Sequence, residues 1–145
     1  MSLIQWIDAR FLLGVAEMDH THREFVERLN RLYSAPSETF TAQFHELLAH
    51  TEAHFANEDR LMVESGFPAI REHQAEHRRV LAELRHFAAS AAGGNPAIAR
   101  NYLREGLSLW FMHHSATMDS ALAGTLKLKD GINQNLVHLG FPPPT

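Results

Sequence analysis

Apolar residues return every three or four positions along most of this chain, the spacing that keeps them on one side of an α-helix. The pattern runs through four segments: Val15, Met18, Phe25, Leu29 and Leu32; Phe44, Leu47, Phe55, Leu61 and Met62; Ile70, Val80, Leu81 and Leu84; Leu103, Leu107 and Trp110. Breaks fall at Ala35-Pro36-Ser37, Gly66-Phe67-Pro68 and Gly93-Gly94-Asn95-Pro96. Ser37 is expected to cap the second helix and Gly66 to end it in the left-handed conformation. The third ends at Gly93-Gly94; Asn95 caps the fourth, with Pro96 at its first helical position. Four amphipathic helices of roughly 15 to 28 residues on short loops predict an all-α, up-down-up-down antiparallel four-helix bundle. The bundle covers about residues 16–119, with a short N-terminal arm and a C-terminal tail at 120–145. Phe141 to Thr145, with three consecutive prolines, reads as an irregular end.

Composition narrows what such a bundle does. The 145 residues fit one domain, without internal repeat or linker. Cysteine is absent, so any metal must be held by nitrogen and oxygen, and a cytoplasmic setting is expected. A formal charge of -4 without a basic run predicts neither nucleic acid nor a membrane as partner. No basic region leads into an apolar stretch at the start, so the protein reads as soluble and unexported. The unusual number is eleven histidines.

Helical phase sorts them. A helix advances about 100° per residue, so a histidine reaches the interior only in step with its apolar stripe. His22 lies between Met18 and Phe25, whereas His20 keeps company with Glu24, Glu27 and Arg31. His54 continues Phe44, Leu47 and Thr51, and Glu58 follows one turn later. His73 and His77 lead into Val80, Leu81 and Leu84; His114 extends Leu103, Leu107 and Trp110, while His113 is rotated away. His86 aligns with polar positions, and His45, His50 and His138 fall outside the pattern or are ambiguous. A single core histidine usually just satisfies a carbonyl. Five buried imidazoles with two carboxylates are different, because metal cations supply the charge that offsets their desolvation.

His54 and Glu58, like His73 and His77, are four apart and stack roughly 6 Å apart along one helix face. Asp119 follows His114 by five and lies about 140° out of phase, so it joins the site only where the helix ends or distorts. Gly124 and the stretch Lys127 to Gly131 suggest an ending nearby. Five histidines, two bridging carboxylates and one bridging oxide or hydroxide occupy all but one of the roughly twelve positions on two octahedral ions. The open position, walled by Phe, Leu, Met and Trp, suits a small uncharged ligand such as dioxygen. Imidazole with carboxylate suits iron, and the spacing also admits manganese, cobalt or zinc.

These motifs resemble the hemerythrin family, in particular its single-domain bacterial members. The resemblance runs from Trp6-(x4)-Phe11-x-x-Gly14-Val15 through Met18-Asp19-x-x-His22, His54-Phe55-x-x-Glu58-Asp59-x-Leu61-Met62, Gly66-Phe67-Pro68 and His73-x-x-x-His77 to Trp110-Phe111-x-x-His114-(x4)-Asp119. It implies two iron ions, one held by His73, His77 and His114, the other by His22 and His54. Glu58 and Asp119 would bridge them. The second ion keeps the vacancy, where dioxygen binds and draws two electrons from the pair. Ser115 departs from the family pattern, which carries an apolar residue after the fourth-helix histidine, and the 26 residues after Asp119 match no motif.

The resemblance implies an oxygen carrier, store or scavenger rather than an enzyme, acting as a monomer or weak homo-oligomer. The alternatives are an oxygen, redox or nitric oxide sensor or iron-handling module working through a delivery or signalling partner, and a di-iron oxidase or peroxidase. A ferritin-like oxidase would place Glu-x-x-His motifs in the core, but those ending at His20 and His86 have their histidines on polar faces. A zinc hydrolase would want a His-Glu-x-x-His motif, which does not occur.

Overall fold

A computed structural model describes residues 2–140, with side chains described outside 132–138. Phe141 to Thr145 and the side chain of His138 lie outside the described residues. A short helix α1 (Asp8–Phe11) precedes three long ones, α2 (Ala16–Tyr33), α3 (Ser37–Ser65) and α4 (Ile70–Ala92). The fourth rod is composite: α5 (Pro96–Tyr102), a π-turn at Leu103–Leu107, α6 (Ser108–His114), a second π-turn at Ser115–Asp119, and α7 (Ser120–His138). The architecture is the all-α four-helix bundle that periodicity predicts. Among the described residues no strand occurs, and no helix is long and apolar enough to cross a membrane.

Punctuation differs from expectation in detail. Pro36, not Ser37, occupies the N-cap of α3, and its carbonyl accepts the N–H groups of Thr39 and Phe40. Asn95 does precede Pro96 at the start of α5, but its side chain makes no cap bond. At the far end of α3, Gly66 is left-handed at φ 65°, and the Phe67 N–H returns to the Met62 carbonyl at 3.0 Å. The same closure follows α4, where Gly94, not Gly93, takes the positive φ of 91° and Asn95 donates to the Ser90 carbonyl. Both turns satisfy carbonyls orphaned at a helix end, and glycine adopts the left-handed conformation without a Cβ clash.

The rod does not end near Asp119; it runs on as α7. In the fourth-helix stripe, Phe111 fills the interior, while Trp110 is half-buried at the seam with α4 and donates from Nε1 to Glu76 at 2.8 Å. The N-terminal arm is pinned along α2 by Asn30, which bonds both N–H and C=O of Ile4. Farther along the arm, Asp19 accepts the N–H groups of Leu13 and Gly14, and Lys127 of α7 donates to the Leu13 carbonyl at 2.7 Å.

The apolar core is divided. Phe25, Leu29, Phe44, Phe55, Val80, Leu84, Leu107 and Phe111 belong to the larger part, and Met18, Met62, Phe67, Leu122 and Ala123 to the smaller. Each long helix crosses from one part to the other, and polar side chains interrupt its stripe at the crossing. His22 lies between Met18 and Phe25, Glu58 between Phe55 and Met62, His73 and His77 between Phe67 and Val80, and His114 and Asp119 between Phe111 and Leu122. The polar layer is thus sealed at both ends by apolar packing, which keeps bulk water from its charges.

Candidate metal centre

All seven residues singled out from the sequence meet in that layer, and every one is at most 5% exposed. Among the other histidines, His20, His45, His86 and His113 are exposed and His50 is half-buried. The second π-turn makes the assembly possible. A π-turn holds more residues than an α-turn, so it brings positions five apart onto one face. His114 Nε2 accordingly stands 3.1 Å from Asp119 Oδ1.

The two carboxylates partition the histidines. Glu58 Oε2 is 3.2 Å from His22 Nε2 and 2.6 Å from His54 Nε2, and Asp119 Oδ2 is 3.2 Å from His22 Nε2. On the other side, Glu58 Oε1 is 3.3 Å from both His73 Nε2 and His77 Nε2, while Asp119 Oδ1 is 3.1 Å from His73 Nε2. Glu58 therefore turns one oxygen toward His22 and His54 and the other toward His73 and His77, and Asp119 turns one toward His22 and the other toward His73 and His114. The donor atoms of His73, His77, His114, Glu58 and Asp119 lie within 4.8 Å of one another, as do those of His22, His54 and Glu58.

These atoms fit cations better than they fit each other. Nε2 of His73, His77 and His114, Oε1 of Glu58 and both Asp119 oxygens are buried without a hydrogen bond, despite neighbours at 3.1 to 3.3 Å. They converge at angles that miss one another. Neighbouring ligands on an octahedral ion with bonds of about 2.1 Å stand about 3 Å apart, close to these separations. Nitrogen and oxygen donors of this mixture suit iron and its neighbours in the first transition row.

The electrostatics follow from the same contacts. Burial penalises charge on His22 and His73, but Asp119 and Glu58 beside them overcome it and raise their pKa values to about 10 and about 9. Burial prevails at His77, which is pushed down; it faces Glu58 but also lies beside His73 and His114. Glu58 and Asp119 are held below the usual carboxylate range, because the surrounding imidazoles outweigh their burial. Such opposed shifts within one buried cluster mark a functional site.

Aromatic rings brace the imidazoles. Phe55 lies parallel on His77 with centroids 3.8 Å apart, and Trp110 stacks on His114 at 4.4 Å. Phe111 meets His22 edge-on at 5.5 Å. Ser115, the residue after His114 and the first of the second π-turn, is buried. Asp59 Oδ1 stands 3.6 Å from His77 Nδ1, where it orients that ring electrostatically. Sequence phase did not single out Phe55, Trp110 or Asp59 for these roles, since an apolar stripe does not tell a packing ring from one stacked on a ligand.

A helical bundle with a buried layer of five imidazoles and two shared carboxylates carries a donor set that suits metal cations. The family profile described as Hemerythrin HHE cation binding domain matches residues 13–126. A bacteriohemerythrin of Ralstonia nicotianae is 38% identical over 119 residues, covering 82% of this chain and 85% of the relative. Another bacteriohemerythrin, from Aquifex aeolicus, is 32% identical, covering 79% of this chain and 91% of the relative. The crystal structure of a hemerythrin point mutant superimposes with a TM-score of 0.76 at 20% identity, covering 87% of this chain and 98% of the other, a likeness of fold. The chain belongs to the hemerythrin family.

Proposed function

We propose that this protein binds dioxygen reversibly at a pair of iron ions held by His22, His54, Glu58, His73, His77, His114 and Asp119. The observation that carries the reading is the two-and-three division of the imidazoles across two carboxylates, each offering one oxygen to either side. A trio of imidazoles with two carboxylate oxygens and a bridging oxide or hydroxide fills an octahedron; a pair leaves one position open. When bound, the iron pair supplies the two electrons and the vacant position that dioxygen needs.

The remaining work falls to the chain. Glu58 and Asp119, kept ionised by their surroundings, offset the charge of two cations in a dry layer. Phe25, Phe111 and Met18 exclude water around His22, which favours an uncharged gas over a polar substrate. His22 and His54 present Nε2 inward to Glu58, and the buried Ser115 adds a hydroxyl next in the chain to His114. The apolar packing on either side of the layer supports binding of a gas, for carriage, storage or scavenging, as the role.

The test is metal analysis followed by stopped-flow mixing of the reduced protein with dioxygen. Close to two irons per chain, a visible charge-transfer band on oxygenation and its loss on removing the gas are expected. One zinc per chain, or a spectrum indifferent to dioxygen, would sink the reading. Fast reversible binding beside slow oxidation supports carriage or storage, whereas rapid oxidation supports sensing or redox chemistry.

A further inference from the structure

Among the described residues, cavities reach histidines of the buried layer from different sides, and their linings differ in chemistry. One, of about 170 Å³, touches His73 and is walled by Phe67, Met118 and Ala121. A second, of about 370 Å³, touches His77 and is lined by Glu52, Asp59, Arg78 and Arg85, with Arg85 paired to Glu52 at 3.7 Å. The third, of about 310 Å³, reaches His54 between α2 and α3 and is lined by Glu17, His20, Glu24, His50 and Asn57. Its donors are of the same kinds as those of the buried layer.

At the mouth of this third cavity two imidazoles face one carboxylate oxygen. His20 Nε2 lies 3.3 Å from Glu24 Oε1, one helical turn away, and His50 Nε2 approaches the same oxygen at 3.9 Å from the neighbouring helix. The side chains grade from surface to interior: His20 is 76% exposed, Glu24 41% and His50 14%. His50 Nδ1 is buried without a partner, which leaves Nε2 as the nitrogen turned toward Glu24. The His50 ring meets the His54 ring edge-on at 6.4 Å, so a donor at the mouth and a donor of the buried layer are neighbours. Arg60, the nearest cation to Glu17, is also bonded to Glu64 and Asn57.

We propose that His20, Glu24 and His50 form a surface docking site for a divalent transition-metal cation, which passes from there along the cavity to His54 and the buried layer. This rests on the reading of that layer as a metal centre. Imidazole nitrogens select a transition metal over magnesium or calcium, and the carboxylates at the rim raise the local concentration of any cation. The donors are too widely spaced to enclose an ion permanently, which suits brief capture and release. Passage between α2 and α3 delivers the ion beside His54, whose ring lies 5.0 Å from that of His22, the other member of the imidazole pair.

The test uses the full chain, freed of metal and mixed anaerobically with ferrous ion. Uptake is timed by competition with a chromogenic chelator, and the final iron content is measured. The His20→Ala/His50→Ala double variant and Glu24→Gln are compared with the unaltered chain and with His86→Ala, a surface control. Uptake is expected to slow on the order of tenfold in the first two, the lower end of what a charged cleft adds to an association rate, with the final iron content unchanged. Unaltered rates would overturn the docking site, and so would a reduced final iron content in these variants. A chain that takes up no iron without any substitution would instead sink the metal-centre reading, and the docking site with it.

Discussion

His114 and Asp119 stand 3.1 Å apart, Nε2 to Oδ1, because the intervening backbone is a π-turn rather than an α-turn. Both are buried, and Asp119 also faces His22 and His73. Asp119→Ala is expected to leave less than one iron per chain and to destabilise the metal-free protein by about 3–5 kcal/mol, the cost of leaving buried charges unpaired. His114→Ala should disturb iron content likewise, whereas the exposed neighbour His113→Ala should not. Metal analysis with denaturant unfolding checks the set, and the opposite ranking of His113 and His114 would overturn the phase assignment.

Loading metal at neutral pH must expel protons. In the ligand-free protein His22 and His73 titrate at about 10 and about 9, above the usual histidine value, so both carry a proton at pH 7. A metal ligand must be neutral imidazole, so loading at pH 7 is expected to release at least two protons per chain, one each from His22 and His73, with any bridging hydroxide formed from water adding to them. His77, pushed down by burial, and the ionised Glu58 and Asp119 contribute none. The sign follows: affinity rises as pH increases toward the values of His22 and His73 and falls in acid. Weakly buffered titration with a pH indicator measures the release, and a count near zero at pH 7 would contradict it.

Phe55 presses its face on His77, its planes within 2° of parallel, and meets Trp110 edge-on at 6.0 Å. Phe55→Leu approximately conserves volume and is expected to cost less than about 1.5 kcal/mol. Without the flat ring the His77 imidazole loses its fixed tilt, so metal should dissociate faster at nearly unchanged stability. Phe55→Ala should cost about 3–5 kcal/mol through the cavity it leaves. Chelator-driven release beside thermal unfolding separates the two effects; equal release rates in Phe55→Leu and the unaltered chain would remove the stacking role.

Ser115 follows His114 directly and is buried, so its hydroxyl is a polar group beside a metal-binding residue of the proposed centre. Ser115→Ala removes that polar group and is expected to slow autoxidation of the oxygenated protein, leaving iron content unaltered. A rate that stays the same or rises would show that the hydroxyl does not face the ligand. The comparison is made at constant pH and oxygen pressure.

How much of this was legible in the sequence follows from periodicity. Wherever a segment stays α-helical, 100° per residue is a fixed rule, so the inward direction of His22, His54, Glu58, His73 and His77 is legible in the sequence. Gly66 was equally legible, since its left-handed terminator depends on local backbone sterics. Trp110 and Phe111 were not, because the fourth rod carries two π-turns and a position at the edge of the stripe is settled by the neighbour it packs on. Here Glu76 draws Trp110 to the seam with α4.

The sequence alone determined the four-helix architecture and the chemical kinds of donor at its centre, since both are carried by residue type and spacing within single helices. Only tertiary structure decided that Asp119 joins His114 through a distorted helix that then continues, and that Glu58 and Asp119 each turn one oxygen to either group of imidazoles. It also brought His50 to Glu24 across two helices. These are relations between segments far apart in the chain, set by how side chains fill shared space, and no local periodicity encodes them.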